Sequence, residues 1–154
     1  MKVKIVFIGN PFGGDDGIGP HLYNELKDSS ELSGFELLEL GVIGFDLVSY
    51  VDDGDKLIII DAIKSDENIG KVEILEESDM IPNFKVVSQH DFGVEQTFAI
   101  LRHYKPGLES FNVVGVNVKD IDAFSDVLSE EILGKIQEIK KDVVSKILNI
   151  AEDK

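Results

Sequence analysis

Three side chains capable of metal binding or acid–base chemistry follow three predicted strands. Asp16 lies in the glycine-rich loop after the first strand, Asp61 directly follows the apolar run 57–60, and His90 follows a short strand. In open α/β sheets, functional groups gather beyond the carboxyl ends of the strands. Carboxylate oxygen and imidazole nitrogen suit nickel, zinc, iron or manganese, so the ligand types do not select one metal. The pattern predicts a divalent-metal site with open positions for substrate or water.

Each of these residues also has an ordinary structural explanation. Whichever of Asp15 and Asp16 is not a ligand is as readily a cap of the following helix. An aspartate that ends a buried strand is often structural, and a lone histidine after a strand is structural more often than catalytic. The coincidence of all three residues at strand ends favours a site.

The glycine-rich loop at residues 9–19 suggests a phosphate site, because glycines let backbone N–H groups approach an anion at a helix N-terminus. The loop matches neither the dinucleotide fingerprint nor the P-loop pattern, and it contains no lysine. Asp15 and Asp16 would place negative charge where the phosphate should lie. We therefore expect this loop to attract a cation.

Apolar runs alternate with helical patterns along the chain and indicate the elements that position these residues. The expected strands are 3–8, 35–40, 56–61, 86–88 and 111–118, with 71–75 as a half-exposed strand in a hairpin or at an edge. The expected helices are 18–26, 45–51, 93–104 and 130–151, with Ser129 as N-cap of the last. Fully apolar strands that alternate with helices predict a parallel sheet covered on both faces, in one α/β domain over residues 1–154.

Composition excludes several classes of function. The chain has 154 residues, 43% of them hydrophobic, and no cysteine, so disulfides and thiolate chemistry are excluded and a cytoplasmic location is expected. The formal charge of −15 makes nucleic acid an unsuitable partner. No apolar run reaches the length of a membrane span, so membrane insertion is not expected. The basic and then apolar start is better explained by a buried strand than by a signal peptide.

Four segments, in this order, resemble the hydrogenase maturation endopeptidases over most of the chain. They are IGN at 8–10, DDGIG at 15–19, LIIIDA at 57–62 and SQHDFG at 88–93. The resemblance implies an α/β protein built as a three-layer α/β/α sandwich with a mostly parallel central sheet. It also implies an endopeptidase that removes the C-terminal extension of a nickel hydrogenase large-subunit precursor after nickel insertion.

The resemblance also assigns roles to residues. The metal-contacting residues of the family fall on Asp16, Asp61 and His90, and Asp16 is the preferred catalytic residue. The nickel is expected to belong to the precursor, where it marks a completed substrate. We expect the enzyme to be a monomer. One segment departs from the family pattern: residues 39–44 carry Val42 where many members have threonine, which weakens any role for that hydroxyl.

Two alternatives from other classes remain open at this point. A receiver domain of a response regulator would use Asp61 as phosphoacceptor in a sheet of similar order. The insertion of residues 11–14 before the acid pair, and the position of Lys105-Pro106 before the last strand, count against it. The second alternative is a non-catalytic metal-binding scaffold with the same fold, since a fold does not establish an activity.

Overall fold

The computed structural model describes residues 2–41, 45–80, 94–119 and 124–153. Within these residues the chain forms one sheet of five strands: β1 (Val3–Ile8), β2 (Glu36–Leu40), β3 (Lys56–Lys64), β4 (Val72–Glu76) and β5 (Ser110–Val118). The order across the sheet is β2-β1-β3-β5-β4. The pairs β1–β2, β1–β3 and β3–β5 are parallel, whereas β4 runs antiparallel to β5 at the edge.

Helices cover both faces of this sheet. They are α1 (Ile18–Leu26), α2 (Val94–Tyr104), α3 (Glu130–Gly134) and α4 (Ile136–Glu152), together with a 3₁₀ helix at Phe45–Tyr50. The helices α1, α3 and α4 share one apolar core with Ile5, Phe7 and Ile58 of the sheet. The helix α2 and the 3₁₀ helix share the other core with Ile8 and Ile59. Neighbouring strand residues alternate between these cores, so the fully apolar strands have two buried faces. The predicted three-layer α/β/α sandwich is confirmed.

The strand order creates a switch point between β1 and β3. From β1 the chain crosses through α1 to β2 on one side, and it returns through the 3₁₀ helix to β3 on the other side. In doubly wound folds the crevice at the carboxyl ends of such strands is the usual ligand site. The predicted metal-binding residues Asp16 and Asp61 come from the segments that border this crevice.

Most of the predicted elements are confirmed, and the differences have physical causes. The expected single C-terminal helix is two helices, because Lys135 leaves the helical conformation at φ −111° and ψ 5°. The third strand does not end at Asp61 but continues to Lys64, because residues 61–64 still pair with β5. The predicted strand 86–88 lies outside the described residues.

The fold also bears on the receiver-domain alternative. The strand β4 at the sheet edge is antiparallel, whereas the sheet of a receiver domain is all-parallel. The observed fold is therefore not that of a receiver domain, and the phosphoacceptor alternative is wrong. Among the helices described, none combines the length and the apolar character that crossing a lipid bilayer requires.

Candidate active site

The loop after β1 fixes the carboxylate of Asp16. The backbone N–H of Asn10 donates to Asp16 Oδ2 at 3.0 Å, and a 3₁₀ turn at Gly14–Gly17 carries Asp15 and Asp16 into buried positions. The amide of Asn10 also caps the loop, since its Oδ1 accepts the N–H of Phe12 at 2.9 Å. Asn10 was included in the IGN segment of the sequence but was given no role there, although a Gly-Asn-Pro turn is a common place for this kind of side-chain bond.

Two glycines explain why this loop lies so close to β1. Gly9 has φ +150°, and a Cβ there would meet the backbone oxygen of Asp16 at 2.2 Å. A Cβ on Gly19, in the first turn of α1, would meet the oxygen of Ile8 at 2.0 Å. Both contacts are with backbone, which cannot rotate away as a side chain can. These two glycines are therefore required for the close approach of the loop and of α1 to the end of β1.

Asp61 lies within β3, level with Ile8 at the end of β1. The β1–β3 ladder stops at Phe7 and Ile60, so Asp61 is the first residue of β3 beyond it. Strand alternation places its side chain on the face of Leu57 and Ile59, and only 1% of the residue is exposed. The turn that carries Asp16 contacts β3. Two buried carboxylates thus come to the same end of the sheet from elements far apart in sequence.

Asp15 has a different function from its neighbour. Its two oxygens accept hydrogen bonds from the N–H of Ser129 at 2.7 Å and from the Ser129 hydroxyl at 2.8 Å. The same hydroxyl accepts the N–H of Ile132, which confirms Ser129 as the N-cap of α3. The helix α1 has no side-chain cap at its N-terminus, so the expectation that the non-ligand aspartate caps α1 is wrong. Asp15 instead joins the loop to α3.

The third predicted ligand, His90, lies outside the described residues, as does Val42. Among the side chains that are described, no group of three or more His, Cys, Asp or Glu is arranged to hold a metal ion. The donor chemistry nevertheless fits a divalent cation, because buried carboxylates are stable when they are hydrogen-bonded or coordinate a metal. The three-residue metal site stays a prediction that Asp16 and Asp61 support by their position.

Fold and site together define the class: a doubly wound α/β protein with buried carboxylates at its switch point. The family model for hydrogenase maturation proteases matches residues 20–146 of the chain. The chain therefore belongs to the hydrogenase maturation protease family and is an endopeptidase, a peptide hydrolase that processes a hydrogenase large subunit. The matched range contains Asp61 and His90, whereas Asp16 precedes it.

Individual relatives support this assignment. The hydrogenase expression/formation protein HupD of Rhizobium leguminosarum bv. viciae is 27% identical over 142 residues, which cover 88% of this chain and 68% of HupD. The hydrogenase 2 maturation protease of Escherichia coli K12 is 29% identical over 119 residues, covering 75% and 73%. The solved [NiFe] hydrogenase maturation protease HybD from Thermococcus kodakarensis superposes with a TM-score of 0.76 at 25% identity, covering 96% of this chain and 99% of that one.

Proposed function

We propose that this endopeptidase removes the C-terminal extension of a nickel hydrogenase large-subunit precursor, and that it recognises the precursor by the nickel already inserted there. The observation that carries the proposal is the packing of the Asp16 turn against β3, the strand that contains Asp61, with both carboxylates buried. A cation held by the substrate would suit such a place, because carboxylate oxygens are common ligands of divalent metals.

In this proposal Asp16, Asp61 and His90 bind the nickel of the precursor and thereby fix the scissile peptide beside the loop. Positioning of this kind turns a bimolecular step into an effectively unimolecular one. Asp16 takes a proton from a water molecule, and the water oxygen attacks the carbonyl carbon. The C–N bond then breaks, and Asp16 returns the proton to the leaving amine nitrogen. The hydrogen bond from Asn10 to Asp16 Oδ2 supports this role, because it orients the carboxylate before substrate arrives.

Several finer properties belong to the same proposal. Hydrolysis of the aspartic type follows from the role given to Asp16. A cytoplasmic location fits the absence of cysteine from the sequence, and the proposal takes the enzyme to be a monomer. The family membership argues against a non-catalytic scaffold.

Cleavage of a nickel-loaded large-subunit precursor tests the proposed site. We expect Asp16→Asn, Asp61→Asn and His90→Gln each to lower the cleavage rate at least about a hundredfold. Circular dichroism and thermal unfolding should show that the three variants remain folded. Asp28→Asn, on the exposed chain after α1, is the matched control and should cleave at the wild-type rate. Full processing by the Asp16 and His90 variants would refute the site assignment.

A further inference from the structure

Two phenylalanines beside the Asp16 loop are exposed to solvent. Phe124 is 96% exposed and Phe12 is 58% exposed, and Val127 nearby is 59% exposed. Large apolar side chains in contiguous exposed positions mark interaction sites more often than isolated ones do. We name these three residues the aromatic surface.

The backbone joins Phe12 and Phe124 side by side. Gly13 and Ser125 form a parallel bridge, in which the Ser125 N–H donates to the Phe12 oxygen at 2.9 Å and the Gly14 N–H donates to the Ser125 oxygen at 2.9 Å. Phe12 and Phe124 each directly precede a bridging residue, so the bridge brings the two phenylalanines near each other.

Hydrogen bonds within the chain hold the backbone of Phe12 in place before any partner binds. Its N–H donates to Asn10 Oδ1 at 2.9 Å, and its carbonyl oxygen accepts the bond from Ser125. A partner that contacts Phe12 does not have to order this backbone. Exposed aromatic residues on a preorganised backbone are typical of residues that contribute most to binding energy.

The position of the aromatic surface indicates its occupant. Phe12 and Asp16 belong to one short loop, and the Asn10 residue that holds the Phe12 N–H also donates its own N–H to Asp16. A cleft of about 310 Å³ lies directly beside the surface, and its lining combines Val127 and Leu128 with polar groups such as Ser129. The surface thus continues from the loop of the proposed catalytic residue to a neighbouring cleft.

We infer that the aromatic surface binds apolar side chains of the precursor segment next to the scissile bond. The inference rests on the proposed function, since it requires that cleavage occurs at the Asp16 end of the loop. It assigns Phe12 and Phe124 to substrate binding: they hold the extended segment while the carboxylates act on it. Removing them should weaken ground-state and transition-state binding alike, which raises KM and leaves kcat unchanged.

The test is the steady-state cleavage of the nickel-loaded precursor by the double variant Phe12→Ser/Phe124→Ser. We expect KM to rise at least about tenfold while kcat stays within about twofold of wild type. Tyr104→Ser is the matched control, because Tyr104 is 51% exposed at the end of α2, near the start of β5 and far from the loop. Its KM should equal that of wild type.

The outcomes separate this inference from the proposed function. If the wild-type enzyme does not cleave the precursor, the proposed function fails. If wild type cleaves and the double variant keeps its KM, the inference alone is wrong. A loss of kcat at constant KM, or an equal rise of KM in the Tyr104 control, also overturns it. A change from dimer to monomer in sedimentation, with KM unchanged, would show instead that the surface joins two copies of the chain.

Discussion

The two ends of the parallel sheet bury charged groups in different ways. At the amino end, Lys4 Nζ lies 2.9 Å from Asp55 Oδ2, and both side chains are buried. Burial would lower the pKa of Lys4, but the hydrogen bond and charge of Asp55 outweigh it and raise this pKa. Burial would likewise raise the pKa of Asp55, but hydrogen bonds from Lys4, Asp52 and Lys2 hold it below its ordinary value. The amino end therefore neutralises its charges within the chain.

The same end also anchors α4. The ammonium of Lys56, the first residue of β3, donates to the carbonyl oxygens of Ile150, Ala151 and Asp153 at the end of that helix. A cation at a helix C-terminus stabilises the partial negative charge of the last carbonyl groups. Lys4 and Lys56 thus stabilise the fold.

At the carboxyl end, uncharged donors orient two aspartates. Asp15 accepts from Ser129 and Asp16 accepts from Asn10. Such donors fix the direction of a carboxylate. The proposed function gives the two ends different roles: the amino end stabilises the fold, and the carboxyl end presents oriented carboxylates to a cation brought by the substrate.

Substitution at the close backbone approach at the carboxyl end should lower the stability of the fold more than any other change considered below. Gly19→Ala places a Cβ 2.0 Å from the Ile8 oxygen, so α1 must shift away from β1. We expect a loss of at least about 3 kcal/mol in the free energy of unfolding. Urea denaturation measures this change. Gly134→Ala has open space around its Cβ and is the control, with a gain of about 0.5 kcal/mol expected. Equal stability of the two variants would refute the packing argument.

The ion pair at the amino end should matter for stability and not for chemistry. Lys4→Met leaves Asp55 buried without its ammonium partner, and we expect a loss of about 3 kcal/mol. The control is Lys2→Met, which removes an exposed pair with Glu36 and should cost less than about 0.5 kcal/mol. At a temperature where both variants are folded, each should cleave the precursor at the wild-type rate. A selective loss of activity in Lys4→Met would break the division between the two ends.

The two hydrogen bonds between Asp15 and Ser129 should contribute less to the free energy of unfolding than the Lys4–Asp55 pair does. Asp15→Ala removes the acceptor for both bonds, and we expect a loss of about 2 kcal/mol. A double-mutant cycle with Ser129→Ala should give a coupling energy of about 1 kcal/mol from the hydroxyl bond. A coupling energy near zero would show that Asp15 stabilises the loop by other means.

Stability should depend on pH through the Lys4–Asp55 pair in a defined direction. The pKa of Asp55 is lowered from 3.8, so its contribution is present above that pH and is lost as pH falls through the folded value. The pKa of Lys4 is raised from 10.5, so its contribution is present below that pH and is lost as pH rises further. The difference in unfolding free energy between wild type and Lys4→Met should be constant near neutrality and shrink below about pH 4. An unchanged difference at pH 2.5 would contradict the pair as its source.

Local patterns determined how much could be predicted from the sequence. The strand Val3–Ile8 and the helix Ile18–Leu26 were predicted to the residue, because a β-branched run ends at Gly9 and helical spacing follows the loop. The edge position of 71–75 was also indicated, since its alternation leaves one face polar.

Features that depend on distant partners could not be predicted in this way. The extension of β3 to Lys64 requires pairing with β5, and the role of Asp15 requires Ser129, which is 114 residues away. The break between α3 and α4 is not visible either, because Ile132, Ile136 and Ile139 keep helical spacing across Lys135. The candidate carboxylates were found because strand ends are local signals; the aromatic surface was not, because exposure is decided by the folded chain.

The most direct test of the central claim compares two preparations of one large-subunit precursor, nickel-loaded and nickel-free, as substrates of the wild-type enzyme. The measurement is the rate of release of the C-terminal extension, followed by mass spectrometry. If oriented carboxylates at the carboxyl end recognise nickel carried by the substrate, the loaded precursor is cut at a single bond and the nickel-free precursor is left intact. Equal cleavage of both preparations would contradict the claim.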